Sequence, residues 1–202
     1  MQYAVKATIK KIIVAFLIVI AFFGLINICL GRQINLNISL INKMAIDKSA
    51  KKEEIMAIDT NTNKIQNYPE YGTQYATIEI PKIDVNLPVY FGSTLDVLKN
   101  GVGHDSASYF PGEGGTIIYM GHNSKNAFRR FSELKKGDEI TVKTSYGNFT
   151  YKIYDMKLIN EKDLDALPIQ KDEEILMCYT CYPFNNIGYT KQRYVVYANL
   201  VE

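Results

Sequence analysis

A cysteine, a histidine and an arginine, each beside an apolar run, could together perform acyl transfer. Cys181 closes the run Ile175-Leu176-Met177-Cys178-Tyr179-Thr180, and Pro183 stops it. His122 follows Thr116-Ile117-Ile118-Tyr119-Met120-Gly121, and Arg193 opens the run Tyr194 to Leu200. A nucleophile must be held rigidly and yet be reachable from a cleft. The open end of a buried strand gives both properties. An imidazole can pass protons to and from nitrogen leaving and entering groups. A guanidinium can hold a developing oxyanion with its fork of donors.

Each of these residues has a rival. His104 lies in the glycine-bordered stretch Gly103-His104-Asp105-Ser106, away from a strand end, so His122 is preferred. Arg129 and Arg130 sit on a short helix after His122 and read as surface charges. Cys178-Tyr179-Thr180-Cys181 is formally a C-x-x-C, which keeps a thiol oxidoreductase reading in view. A redox pair of this kind needs a helical turn to bring its sulfurs together. The flanking Ile, Leu, Met, Tyr and Thr are strand formers. Three residues along a strand span about 10 Å and place the two side chains on opposite faces. A disulfide needs its Cα atoms within about 7 Å. The two sulfurs should therefore stay apart, and no metal site is expected either.

The elements that must position these residues are strands. Candidates are Tyr75–Ile80, Leu87–Tyr90, Thr116–Met120, Glu139–Lys143, Phe149–Leu158, Ile175–Cys181 and Tyr194–Leu200, with Gly and Pro between them. A short helix capped by Ser93 runs through Leu95 and Leu98. Another covers Ala127–Leu134 ahead of Gly137. Short strands, few helices and no βαβ rhythm predict a mainly β closed barrel or sandwich.

Four segments organise the chain. Residues 1–11 form a basic tail with Lys6, Lys10 and Lys11. Residues 12–31 are almost wholly apolar over about 20 residues, enough for a transmembrane signal anchor. The lysines before it predict a cytoplasmic N-terminus and an extracellular remainder. Residues 32–72 are polar and read as an extracellular stalk. Residues 73–202 read as a single catalytic domain with its own core, able to fold alone. Net charge is +2 at pH 7, and the N-terminal lysines account for its sign. That near neutrality argues against a nucleic acid partner. The chain has 3 cysteines. Cys29 falls within the apolar segment, so only two remain beyond it and no disulfide framework is possible.

Taken together, the motifs of residues 73–202 resemble the sortases, cell-surface cysteine transpeptidases of Gram-positive bacteria. The landmarks are Ile80-Pro81-Lys82-Ile83, Leu87-Pro88-Val89-Tyr90, Gly101-Val102-Gly103-His104 and Pro111-Gly112-Glu113-Gly114-Gly115. Gly121-His122-Asn123, Lys136-Gly137-Asp138, Thr180-Cys181 and Arg193 complete them. The family signature Thr-Leu-x-Thr-Cys keeps its Thr-Cys end here, while Cys178 takes the place of the leucine. The resemblance implies an eight-stranded sortase barrel and an active site of Cys181, His122 and Arg193. It implies cleavage of a Leu-Pro-x-Thr-Gly-like sorting signal after Thr through a thioacyl-enzyme. The implied partners are secreted proteins bearing that signal, an amine acceptor such as a peptidoglycan precursor, and membrane lipid. Thr180, Leu164, Leu167 and Ile169 are candidate substrate contacts. No cofactor is expected. Some family members bind calcium on the acidic stretch Glu161–Glu174, which reads here as a solvated loop. The absence of an Asp-Pro-aromatic lid motif makes class D or E the nearer type, with a pilin-polymerising sortase as the alternative.

Overall fold

The computed structural model describes residues 14–26, 56–186 and 188–201. Residues 1–43 and 44–202 form two separate compact units. In the first, residues 14–26 form a helix, α1, whose side chains are all exposed. No helix among the described residues is long and apolar enough to cross a membrane. The sequence predicts a span over 12–31, but residues 12–13 and 27–31 lie outside the described residues.

The second unit is the expected β domain. A small hairpin pairs β1 (Ala57–Asp59) with β2 (Lys64–Gln66). Eight strands follow: β3 (Gln74–Ile80), β4 (Val85–Phe91), β5 (Val102–His104), β6 (Thr116–Met120), β7 (Glu139–Thr144), β8 (Gly147–Asn160), β9 (Ile175–Tyr182) and β10 (Gln192–Leu200). They close into a barrel in the order β10-β8-β7-β3-β4-β5-β6-β9. The β4–β5 and β6–β9 pairs are parallel, and the others are antiparallel.

Local chemistry accounts for the elements. Strand β6 is buried along its whole length. It pairs in parallel with β9, and both of its faces are covered, so it reads as an unbroken apolar run. Helix α2 (Leu95–Leu98) is capped by Thr94, whose hydroxyl accepts the Val97 N–H. The cap thus falls one residue after Ser93. The predicted helix over Ala127–Leu134 is a 3-10 helix, Phe128–Glu133. Phe128 and Phe131 stack at 4.2 Å and are fully buried. The chain then turns at Gly137, where φ is +95°.

Two cores flank the sheet. The larger fills the barrel and includes Tyr75, Ile78, Ile117, Tyr119, Phe128, Ile140, Tyr151, Leu176, Cys178 and Val196. The smaller lies on the outer face of β6, β8, β9 and β10. Ile118, Ile159, Ile175, Met177, Val195 and Tyr197 form it, and Ala166 and Leu167 of the β8–β9 connection pack against it.

The larger core reaches further toward the N-terminus than Thr73. Met56 and Ile65 belong to it, at 2% and 4% exposure. The buried Glu113 carboxylate accepts the Ile65 N–H at 3.1 Å, the Tyr68 O–H at 2.7 Å and the Phe110 N–H at 2.9 Å. Met56 exchanges hydrogen bonds with Ser145 Oγ at the β7–β8 turn. Residues 56–72, expected as part of a stalk, are thus stitched to the barrel.

His104 is one of the polar groups inside. Its Nε2 faces the Tyr109 carbonyl at 3.1 Å and Ser108 Oγ at 3.0 Å, and its Nδ1 faces Tyr75 Oη at 2.9 Å. A carbonyl can only accept, so Nε2 carries the proton and Nδ1 accepts from the tyrosine. Phe110 packs edge-on against the ring at 4.4 Å. Burial pushes the imidazole down to about 3, so it stays neutral. An unfolded chain binds that proton near pH 6.5. The stabilising contribution is therefore complete above about 6.5 and falls away as pH drops toward 3. Urea midpoints measured across that window should decline steeply for the native protein and less steeply for His104→Gln.

Candidate active site

Strand register assembles the site. In the antiparallel β9–β10 pair, Cys181 lies directly opposite Arg193. In the parallel β6–β9 pair, Met120 lies opposite Tyr179. The Gly121 N–H donates to the Tyr179 carbonyl at 3.1 Å, which closes that last pair. His122 follows that bond by one residue, at the same end of the barrel as Cys181. The nucleophile candidate therefore has Arg193 as its cross-strand partner, while the segment leaving β6 carries His122 toward the same end of the barrel.

Alternation along the strands decides which face they share. Leu176 and Cys178 fill the barrel, whereas Met177 and Tyr179 belong to the outer cluster. Cys181 has the parity of Met177 and Tyr179 and is half-buried. Arg193 has the parity of Val195, which lies in the outer cluster. Cys181 and Arg193 thus belong to the outer face, and His122 leaves β6 at the same end of the barrel.

Cys178 is fully buried in the main core, and burial pushes its thiol far up. Both cysteines are free and stand on opposite faces of one continuous strand. The dithiol reading fails on this geometry. His104 is enclosed in the barrel and cannot reach Cys181's face. Thr180 shares the inner parity, is 1% exposed and leaves its Oγ1 without a hydrogen-bond partner. It lies on the face opposite Cys181.

His122 is half-buried, and its Nε2 is buried without a partner. Burial lowers its pKa, which favours the neutral ring near pH 7. Its backbone is anchored on both sides. The Phe128 N–H donates to the His122 carbonyl at 3.1 Å. Asn123 Nδ2 donates to the Pro183 carbonyl at 3.0 Å, which ties this loop to the exit of β9. Arg129, read from sequence as a surface charge, donates to the Asn123 carbonyl at 3.2 Å. Gly121 is required by space. A Cβ there would sit 2.6 Å from the Phe128 ring. Gly121→Ala should therefore displace His122, costing about 1–3 kcal/mol of stability and on the order of 100-fold in turnover. A melting curve and a rate assay on the same sample check both.

Arg193 is the most tightly tied of the three. Its Nη1 donates to the Thr190 carbonyl at 2.7 Å and to the Gln192 carbonyl at 2.9 Å. Its Nη2 donates to Glu161 Oε2 at 3.0 Å. Sequence patterning marked Asn123 and Glu161 but not their partners, Pro183 and Arg193, because those pairings are not local.

The proposed groove wall is the β8–β9 connection. Leu164 opens a 3-10 turn, Leu164–Ala166. Leu167 is half-buried on the outer cluster, and Ile169 is 47% exposed. The Tyr197 hydroxyl donates to the Ala166 carbonyl at 2.9 Å and pins the turn. Among the described residues no group of three or more His, Cys, Asp or Glu side chains could hold a metal ion.

A closed eight-stranded barrel carrying cysteine, histidine and arginine at neighbouring strand ends has the organisation of a cysteine transpeptidase. The sequence profile of the sortase domain matches residues 78–201. The chain is 41% identical to sortase D of Bacillus subtilis over 143 residues, which is 71% of this chain and 72% of that protein. It superposes on a Clostridium perfringens sortase D5 transpeptidase with a TM-score of 0.61 and 35% identity, covering 67% of this chain and 83% of that one. It also superposes on a Clostridium perfringens sortase C, solved with the C-terminal cell wall sorting motif. There the TM-score is 0.59 and the identity 28%, over 69% and 78% of the two chains. The chain belongs to the sortase family.

Proposed function

We propose that this sortase is anchored in the cell membrane with its barrel outside. In this reading it cleaves a Leu-Pro-x-Thr-Gly-like sorting signal after Thr and passes the protein to an amine of the cell wall. The observation that supports the reading is the pairing of Cys181 with Arg193 across β9 and β10, with His122 following β6, the other strand beside β9.

The chemistry follows from the protonation states. With His122 neutral, the Cys181 thiol gives its proton to the imidazole as sulfur attacks the Thr carbonyl carbon. Arg193 donors stabilise the oxyanion of the tetrahedral adduct. The imidazolium then protonates the leaving amine, the C–N bond breaks and a thioester to Cys181 remains. An incoming amine loses its proton to His122 as it attacks the thioester. That proton returns to the departing sulfur. The cycle closes with one amide exchanged for another and no net proton change. No cofactor takes part.

Two further observations support parts of the proposal. The two class D relatives are 41% and 35% identical, against 28% for the class C protein, which favours a class D type. Residues 14–26 are apolar apart from one glycine and are exposed as a helix, with Lys6, Lys10 and Lys11 before them. Such a helix suits lipid better than water. The substrate wall would be formed by Leu164, Leu167 and Ile169. A pilin-type acceptor, a lysine side chain of another protein, is the competing second substrate.

The experiment is product analysis. A fluorogenic Leu-Pro-x-Thr-Gly peptide is offered with a panel of amines that includes a peptidoglycan stem peptide and a lysine-containing peptide. The amide product should dominate over the free acid with the stem peptide. Free acid alone across the panel would mean a thiol protease on a sortase barrel.

A further inference from the structure

We propose that Glu161 is a positioning residue for Arg193, acting as a carboxylate clasp that sets the guanidinium opposite Cys181. The inference rests on Arg193 serving the transpeptidation proposed above.

Glu161 follows the last residue of β8, at the entry to the β8–β9 connection. Three bonds tie it to the segment that leads into β10. Its N–H donates to the Lys191 carbonyl at 2.8 Å. Its Oε1 accepts the Tyr189 hydroxyl. Its Oε2 accepts Arg193 Nη2 at 3.0 Å. The Arg193 and Glu161 side chains are only 19% and 17% exposed. This is no loose surface pair, and screening by solvent is reduced. Charge-assisted bonds of this kind have defined geometry as well as strength.

The distribution of donors matters. Nη1 is committed to the Thr190 and Gln192 carbonyls, with Thr190 Oγ1 also at 3.3 Å. One Nη2–H is committed to Glu161. An arginine has five N–H donors. The Nε–H and a second Nη2–H make no hydrogen bond among the described residues, which leaves donors for substrate. Glu161 and Thr190 thus fix the plane of the guanidinium, and its remaining donors are presented without a search through rotamers. A long side chain otherwise loses considerable rotamer entropy on being ordered. Prior ordering moves that cost out of the reaction step. The same carboxylate belongs to the substrate-wall connection and holds Tyr189 of the β9–β10 loop. The two loops bordering Arg193 are therefore joined at one residue.

The test uses Glu161→Gln, Glu161→Ala, Arg193→Lys and the double variant Glu161→Ala/Arg193→Lys in the full chain. Turnover of the fluorogenic peptide is read together with thermal melts. Glu161→Ala should lower kcat by about 10- to 100-fold with KM within about twofold, because orientation and not ground-state binding is lost. Glu161→Gln, which keeps the shape and a weaker acceptor, should fall between Glu161→Ala and the native enzyme. In the Arg193→Lys background, Glu161→Ala should add little, since a clasp without its fork has nothing left to orient. Additive losses in the double variant, or a loss that only tracks the melting temperature, would reduce Glu161 to a loop tether and overturn the proposal. Native-like kcat in Glu161→Ala with a deficient Arg193→Lys would also overturn it. A native-like rate in Arg193→Lys together with a deficient Glu161→Ala would also overturn it, since the loss could not then act through the guanidinium.

Discussion

Cys181→Ala should abolish peptide cleavage, a loss of at least about 10⁴-fold set by removal of the nucleophile of a concerted catalytic unit. Cys178→Ala should keep most of the activity and cost about 1 kcal/mol of stability, as expected for a small buried apolar group. The contrast follows from strand geometry. Cys178 fills the barrel beside Leu176 and Val196, while Cys181 belongs to the opposite face with Arg193 as its cross-strand partner. Rates and urea midpoints for both variants check the pair. Equal inactivation by the two substitutions, with the fold intact, would mean that the parity along β9 is wrong.

The second large effect concerns where the folded unit begins. A chain running from Met56 to Glu202 should fold and turn over peptide. One running from Thr73 to Glu202 should be severely destabilised. Its loss removes the Ile65 N–H and Tyr68 O–H from the buried Glu113 carboxylate. Hydrogen bonds to a charged group contribute about 1.5–3 kcal/mol each. It also removes Met56 and Ile65 from the core, and burial of such side chains contributes about 1.5–3 kcal/mol each. The Tyr71 hydroxyl, which accepts the Ser93 and Thr94 N–H groups, goes with them. The total rivals the whole stability of an ordinary domain, about 5–15 kcal/mol. Thermal melts of the two chains decide it. A cooperative, native-like transition in the Thr73 chain would show that the hairpin is merely an appendage.

The contrast between these two results also shows what the sequence could convey. The central strands were legible because their signals are local. Ile175–Tyr182, Thr116–Met120 and Gln192–Leu200 are long apolar or alternating runs with clear breakers. Cys181 and Arg193 lie toward the ends of two of these strands, and their cross-strand pairing followed once β9 and β10 were paired. Strand β5 was missed because Val102-Gly103-His104 is short and contains a glycine. A Cβ at Gly103 would lie 2.6 Å from the Gly92 carbonyl oxygen, so close backbone approach dictates the residue there. The β1–β2 hairpin was missed because its polar exposed residues outweigh Met56 and Ile65, and its anchor, Glu113, is distant in sequence. The partner of Glu161 escaped for the same reason. That partner, Arg193, is brought near only by the β8–β10 pairing, which places Ile159 opposite it. Thr180 was a candidate substrate contact, and alternation along β9 turns its buried side chain to the face opposite Cys181.

The central claim is that Cys181 carries the acyl group. Incubating the enzyme with a Leu-Pro-x-Thr-Gly peptide and no amine, quenching in acid and mapping the protein by mass spectrometry measures this directly. The mass of the peptide up to Thr should appear as a hydroxylamine-labile adduct on Cys181, and it should vanish when an acceptor amine is added. An adduct on Cys178, or turnover with no adduct at any cysteine in native enzyme and in Cys181→Ala alike, would contradict the account.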